Sequence, residues 1–257
     1  MANAASKLKV LNSSQGAGHH PHSFQANNGK SLEIVVGNNV YLRLPIKTRL
    51  ITEKDNLRSL LHEYVSPHLL HGDIVFISEK IVAITQNRII KIRDIKPSFV
   101  ARFLAKRVDN KRHTVNFRGF GHGTSMGMEL FIEEAGYLRV LFAAAVSAVT
   151  RPFGIKGLFY IICGKNAKSI DCPMSFTLYP YLSYAKLAPL NPKQVAKDAH
   201  ESFGNEVVIV DANYRGVFSL AKSTRKISEK FIQNVFRDNP AGQSDEMTPF
   251  FIVRMSS

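Results

Sequence analysis

The sequence predicts a mixed α/β (α+β) fold in two lobes, the N-terminal one rich in β-strand. Short apolar runs bounded by Gly, Asn or Asp mark strands, as at residues 32–36, 74–78 and 206–210. Between them lie stretches with apolar residues three and four positions apart, the period of amphipathic helices. A chain of 257 residues that is 45% hydrophobic and 10% aromatic buries a substantial core, which excludes disorder for most of its length.

Residues 1–30 hold no acidic and few large apolar residues but many Ala, Asn, Gly, Ser and His. Such a segment cannot repay its ordering entropy, so a disordered tail is expected, with His19, His20 and His22 incidental in it. The globular part is expected over 31–257. Leu32, Ile34 and Val36 alternate before a Gly37-Asn38-Asn39 turn, and residues 40–51 return as the second arm of a hairpin. In residues 52–65, Leu57, Leu60, Leu61 and Tyr64 share one helical face. A Gly72-Asp73 turn leads into a strand over 74–78, with further short strands expected over 81–85 and 89–92. After Pro97, Val100, Phe103, Leu104 and Val108 recur at helical spacing.

A second lobe is expected from residue 119, which puts the lobes at about 31–118 and 119–257. A glycine-rich turn opens a long helical run over 126–149, and residues 158–163 read as a buried strand. Asn191-Pro192 starts a helix that Gly204 stops. The β-branched run 206–210 is a strand that delivers Asp211 at its carboxyl end. A helix over 228–237 and a strand over 250–253 close the chain.

With 34 Lys and Arg against 20 Asp and Glu the net charge is +14, and the pI is about 9.8. Anionic partners are favoured: nucleic acid, an anionic lipid surface or phosphorylated small molecules. In the densest basic stretch, residues 91–118, Phe99, Phe103 and Phe117 interleave with Lys and Arg. That pattern fits a nucleic-acid surface and equally an amphipathic helix with a solvated basic face; no helix-turn-helix, zinc-finger or RRM signature accompanies it. The longest apolar stretch, 140–149, is interrupted by Ser147 and flanked by Arg139 and Arg151. It is well short of the roughly 18 residues a span needs, so no membrane is expected. Cys163 and Cys172 cannot build a disulfide framework or a four-ligand zinc site, and no secretory n-region and h-region are readable, so a cytoplasmic location is expected.

Several motifs carry chemistry. Around the strand end of GDIVFISEKIVAI (residues 72–84), Lys80 can face an anion; the alternative is a solvent-facing pair with Glu79. RGFGHGTSMG (residues 118–127) sets four glycines before a helix, where backbone N–H groups of Gly121, His122, Gly123, Thr124 and Ser125 can cradle phosphate, although the Walker A ending is missing. Glu129 and Glu133, four apart, either share a metal or are two solvated carboxylates. Asp171 and Asp211 each end a strand-like stretch. Two such carboxylates brought together offer the hard oxygens that Mg²⁺ or Mn²⁺ takes alongside water and nucleotide phosphates. Residues 238–249 form a dense polar loop before the last strand, a common place for a site.

These pieces, in this order, resemble the coenzyme F-420-0:γ-glutamyl ligase family. The landmarks are GDIVFISEKIVAITQNRII, the SID turn at Asp171, the NP-opened helix at Asn191, VVIVDANYRG around Asp211 and SDEMTPFFIV, spread over residues 46–254. The middle, from GHGTSMGMELFIEEAGYLRV onward, looks like a divergent branch, and Ala212 stands where typical members carry Thr or Ser. The resemblance implies a two-lobed γ-glutamyl-ligase-like fold and a homodimer. It also implies a GTP- and Mg²⁺- or Mn²⁺-dependent ligase that activates a carboxylate as an acyl phosphate for attack by the amine of L-glutamate or a similar amino acid. Carried over by position, Lys80 is the catalytic lysine and Asp171 and Asp211 are metal ligands, with Gln243 and Glu246 completing the metal shell. The glycine-rich residues 121–125 and Asn213 then lie against the nucleotide. Ala212 and the charge motivate an alternative: a non-catalytic relative that binds RNA or another polyanion through its basic surface.

Overall fold

The computed structural model describes residues 24–107, 123–174, 178–213, 216–242 and 245–256. The first alternating stretch forms the expected hairpin, β1 (Glu33–Val36) and β2 (Asn39–Ile46), antiparallel around Gly37, whose φ of 63° is one that glycine adopts without strain. α1 (Leu57–Leu60) starts where the Asn56 side chain accepts a hydrogen bond from the Ser59 N–H, and it runs on through a π-helical turn and a 3₁₀ turn to His68. β3 (Ile74–Ser78) is the expected strand. Residues 81–85, expected to be a strand, instead belong to α2 (Glu79–Thr85). A short apolar run fits either state, and nothing between Ser78 and Ile81 reverses the chain, so a second strand cannot return beside β3.

β4 (Ile89–Lys91) follows, then α3 (Phe99–Ala105), capped by the Ser98 hydroxyl. The single helical run expected over 126–149 is two helices, α4 (Ser125–Ala135) and α5 (Tyr137–Thr150), separated by Gly136 at φ 89°, ψ 133°. Residues 158–163, expected as a buried strand, form α6 (Leu158–Cys163) between Gly157 and Gly164, both at positive φ. Glycines on both sides close a single helical turn and a half, while Ile161 stays exposed, which a buried strand would not allow. α7 (Lys165–Lys168) and β5 (Tyr184–Lys186) come next. α8 (Pro192–Phe203) has Pro at its first turn and Gly204 at its end, as expected. β6 (Glu206–Asn213) runs three residues past the expected end, so Asp211 lies within the strand rather than after it. Its partner β7 (Gly216–Lys222), whose mixed pattern gave no strand signal, precedes α9 (Glu229–Val235) and β8 (Phe250–Met255).

β1, β2, β8, β3, β6 and β7 form one sheet in that order, with β3 and β6 parallel and the other neighbours antiparallel. The strands of this sheet come from both sides of the expected lobe boundary near residue 118, which itself lies outside the described residues. One face, with Val75, Ile77, Val207 and Ile209, packs against Val82 of α2 and Ala196 and Ala199 of α8. The opposite face, with Phe76, Val208 and Val210, packs against Ile232 and Val235 of α9. A second core gathers α3 to α7 with Ala185 and Leu187, next to the small β4–β5 ladder. The fold is thus mixed α/β, as expected.

Residues 1–23 of the expected tail lie outside the described residues. Residues 24–30 are docked: Phe24 packs edge-on to His68, and the Asn27 amide donates to the Pro240 carbonyl at 2.8 Å and to the Thr248 hydroxyl at 2.7 Å. One aromatic ring and one amide offset the ordering cost that the composition of the whole segment argued against. Among the described residues no helix is long and apolar enough to cross a membrane.

Candidate functional site

Two structural facts bring the charged residues together. β3 and β6 are parallel neighbours with Ser78 opposite Val210, so the first turn of α2 and Asp211 leave the sheet side by side. Side chains alternate along β6, and Asp211 therefore follows Val207 and Ile209 onto the face that α2 covers. From the other core, Asp171 pairs with Lys186 as an isolated antiparallel bridge, with Asp171 N–H to Lys186 O at 3.0 Å and Lys186 N–H to Asp171 O at 2.8 Å. The Lys186 side chain then reaches Glu79 of α2.

Lys186 Nζ lies 2.8 Å from Glu79 Oε1, donates to the Ser169 carbonyl at 2.9 Å and sits 3.7 Å from Asp171 Oδ2. Lys186 and Glu79 are each 3% exposed, whereas Asp171 is 42% exposed at the rim. Burial pushes the Glu79 carboxyl up to about 7, with Asp211 and Asp171 adding to it and Lys186 opposing. Burial alone pulls Lys186 down, but Glu79, Asp171 and Asp211 more than offset this and hold its ammonium above the ordinary lysine value. Lys80 shifts down, first through burial and also through Lys186, against the attraction of Asp171, Asp211 and Glu79. Asp171 and Asp211 thus act on the same three side chains. The cluster holds two ammonium groups and three carboxylates, with two of the carboxylates contributed from distant parts of the chain.

The sequence-derived candidates do not all come together. Lys80, Asp171 and Asp211 converge. Thr124 and Ser125 lie at the start of α4, where the Thr124 hydroxyl accepts from the Gly127 N–H at 2.9 Å; Thr124 also contacts the thiol of Cys172, the residue after Asp171. The Glu246 carboxylate lies directly over Gly242, within the polar loop that passes the end of β3 through Ser78 N–H to Pro249 O at 2.9 Å. Gly121, His122 and Gln243 lie outside the described residues, and Asn213 ends β6 opposite Gly216.

Two members of the cluster were not singled out in the sequence. Glu79, which one of the two sequence readings paired with Lys80 in solvent, is buried instead. Its signal was a first-turn acid after an apolar strand, which reads the same in either place. Lys186 is the only charged side chain in the run from Tyr184 to Leu190. A lone lysine in an apolar stretch was the available clue. Glu129 is neither a solvated carboxylate nor placed with Glu133 on a metal: it accepts from the Ser98 N–H at 2.6 Å at the start of α3. Ala212 points away from Asp211 and packs against the α9 side of the sheet.

A divalent cation suits Asp171 and Asp211 by donor chemistry. Mg²⁺ is held by one or two carboxylates together with phosphate oxygens and water, and two partly exposed aspartates beside two lysines supply that half-shell. Among the described residues, no three His, Cys, Asp or Glu side chains form a group able to hold a metal by themselves.

Strand ends, a helix start and a mixed charge cluster thus meet at one point of a mixed α/β fold. Residues 45–150, from the end of β2 through α5, match the model of a protein family described as F420-0:Gamma-glutamyl ligase. That segment, which includes Glu79 and Lys80, is similar to this family over about two fifths of the chain. No curated protein matches the chain.

Proposed function

We propose that the protein is a nucleotide- and divalent-metal-dependent acid–amino-acid ligase of the γ-glutamyl ligase type. In this reading it transfers phosphate from GTP to a substrate carboxylate and lets an amino-acid amine, L-glutamate or similar, displace the phosphate. The observation that carries this reading is the convergence of Lys80, Lys186, Asp171 and Asp211 around Glu79. Charge builds on phosphate oxygens in both half-reactions, and preorganised ammonium groups in a water-poor site stabilise it most. Lys80 is the group offered to those oxygens; Lys186, held from below by Glu79 and the Ser169 carbonyl, positions Asp171 and adds its field. Mg²⁺ or Mn²⁺ on the two aspartates would contribute Lewis acidity toward the phosphates. Two buried free cysteines suit a reducing cytoplasm, and a homodimer is part of the same proposal.

A thermal-shift titration tests this. Nucleotide with Mn²⁺ at a hundred times its Kd stabilises the folded state by about 2.7 kcal/mol. For a chain of this size that is a rise of roughly 5–10 °C. Asp211→Asn should abolish the dependence of the shift on Mn²⁺. No shift at millimolar GTP or ATP, or an equal shift in Asp211→Asn, refutes the assignment.

One observation favours the polyanion alternative. On α3, Phe99 and Phe103 stack with ring centroids 6.4 Å apart, and the Arg107 guanidinium lies 3.4 Å above the Phe103 ring, a ladder with Phe99 82% exposed. Exposed rings capped by a cation suit unpaired bases. RNA binding that falls steeply with salt and is lost in Phe99→Ala/Phe103→Ala, without any nucleotide-dependent shift, would favour this reading.

A further inference from the structure

The outer face of α5 is apolar where a surface helix is ordinarily polar. Its inner side, Val140 and Ala143, enters the helical core. Leu138, Leu141, Phe142, Ala145, Ala148 and Val149 follow the i, i+3, i+4, i+7 spacing on the other side, and every one is exposed. Leu138 is 81%, Phe142 63% and Val149 67% exposed. The stripe continues through Phe153 and Ile155 to Ile161 on α6, which packs along α5.

Along the chain that carries this stripe the charge has one sign. From Ala135 to Ile170 the sequence has no Asp or Glu and five Lys or Arg. Arg139 near the start of α5, and Arg151 and Lys156 beyond its end, are exposed. Whatever covers this face must therefore be apolar along its middle and anionic at its edges. A second copy would bring another set of the same cations to the contact. A polynucleotide satisfies the cations and leaves the aliphatic stripe without a partner. An anionic bilayer meets both requirements: headgroup phosphates for the cations and acyl chains for the stripe.

We propose that α5, with the segment leading into α6, is a peripheral docking face that lies in the interfacial plane of an anionic membrane. At 14 residues, α5 is about 21 Å long and rests on the bilayer rather than crossing it. The sequence expectation of no membrane came from the length of the apolar stretch, which bears on spanning and not on lying in the interface. The proposal is independent of the ligase reading.

The full chain contains no Trp, so Phe142→Trp installs a single fluorophore in the stripe. Its emission should shift to the blue, and the protein should co-sediment, with vesicles of phosphatidylcholine and phosphatidylglycerol but not of phosphatidylcholine alone. Neutralising Arg139, Arg151 and Lys156 to Gln should lower partitioning about fivefold each. Leu138→Ser/Phe142→Ser should lower it about tenfold or more while the melting temperature holds, since both residues are exposed. If that double variant fails to fold, the Trp emission and the Gln variants decide. No blue shift and no sedimentation with anionic vesicles overturns the proposal, as does equal binding to neutral vesicles. A dimer that Leu138→Ser/Phe142→Ser dissociates, without vesicle binding, gives the face to a second copy instead and equally overturns it.

Discussion

Replacing Lys186 by Met removes an ammonium that Glu79 touches, and the pair's burial sets the size of the effect. Both side chains are 3% exposed, and Nζ stands 2.8 Å from Glu79 Oε1. Breaking a buried pair by deleting one partner costs about 3–5 kcal/mol, because the remaining charge is left without water or counterion. Glu79 can escape part of that cost by taking a proton, since its carboxyl already sits up at about 7. Losing Lys186 removes an influence that lowers it, so in the variant it rises further. A carboxyl raised above its unfolded value contributes stability that is fully present below the unfolded pKa and lost as pH climbs through the folded one. The variant should therefore lie closest to the wild type near pH 5 and fall away above pH 7. At pH 8 a deficit of about 3 kcal/mol lowers the melting temperature by roughly 6–12 °C. Glu79→Gln in the same chain should return much of that loss, because no buried charge is then unpaired. Urea unfolding of the four proteins of the cycle at pH 5.5 and pH 8 measures this. A deficit at pH 8 below about 1 kcal/mol, a deficit that does not grow with pH, or no relief from Glu79→Gln would refute the reasoning.

Two further outcomes test how the framework is held. Asp73 is 2% exposed, receives Arg254 Nε and Nη2 at 2.8 and 2.7 Å and the Leu70 N–H at 2.8 Å, so Asp73→Asn should lower stability by about 2–3 kcal/mol in urea, with no effect on the nucleotide-dependent shift. Gly136→Ala should cost about 1–3 kcal/mol in thermal unfolding; a Cβ there meets nothing within 4 Å, so the whole effect comes from φ 89° and a milder loss would show that the α4–α5 junction relaxes.

Elements with strong local punctuation were legible from residues alone. The β1–β2 hairpin, β3 and α8 are bounded by Gly37, Gly72, Pro192 and Gly204, whose backbone preferences act within a few residues and need no partner. Where the punctuation is absent the reading went astray. Residues 81–85 and 158–163 are short apolar runs that fit a strand or a helix equally, and the choice falls to what packs on them: the sheet face for α2, the neighbouring α5 for α6. β7 escaped notice because Gly216–Lys222 carries no clear alternation and is a strand only as the partner of β6.

The site divides in the same way. Lys80, Asp171 and Asp211 were visible as charged residues beside strand-like runs, and their chemistry follows from residue type. Glu79 and Lys186 were not, because burial is a property of the folded whole. A Glu-Lys neighbour pair in sequence looks solvent-facing until β6, β5 and the Asp171 bridge close over it. Composition, charge and local periodicity thus determined the fold class, most of the elements and the basic character of the surface, all of which depend on interactions a few residues long. Only the tertiary structure decided which carboxylate loses its water, which lysine it meets and which side of α5 faces outward, since each depends on how separate elements pack together, the Glu79–Lys186 contact across 107 residues of chain.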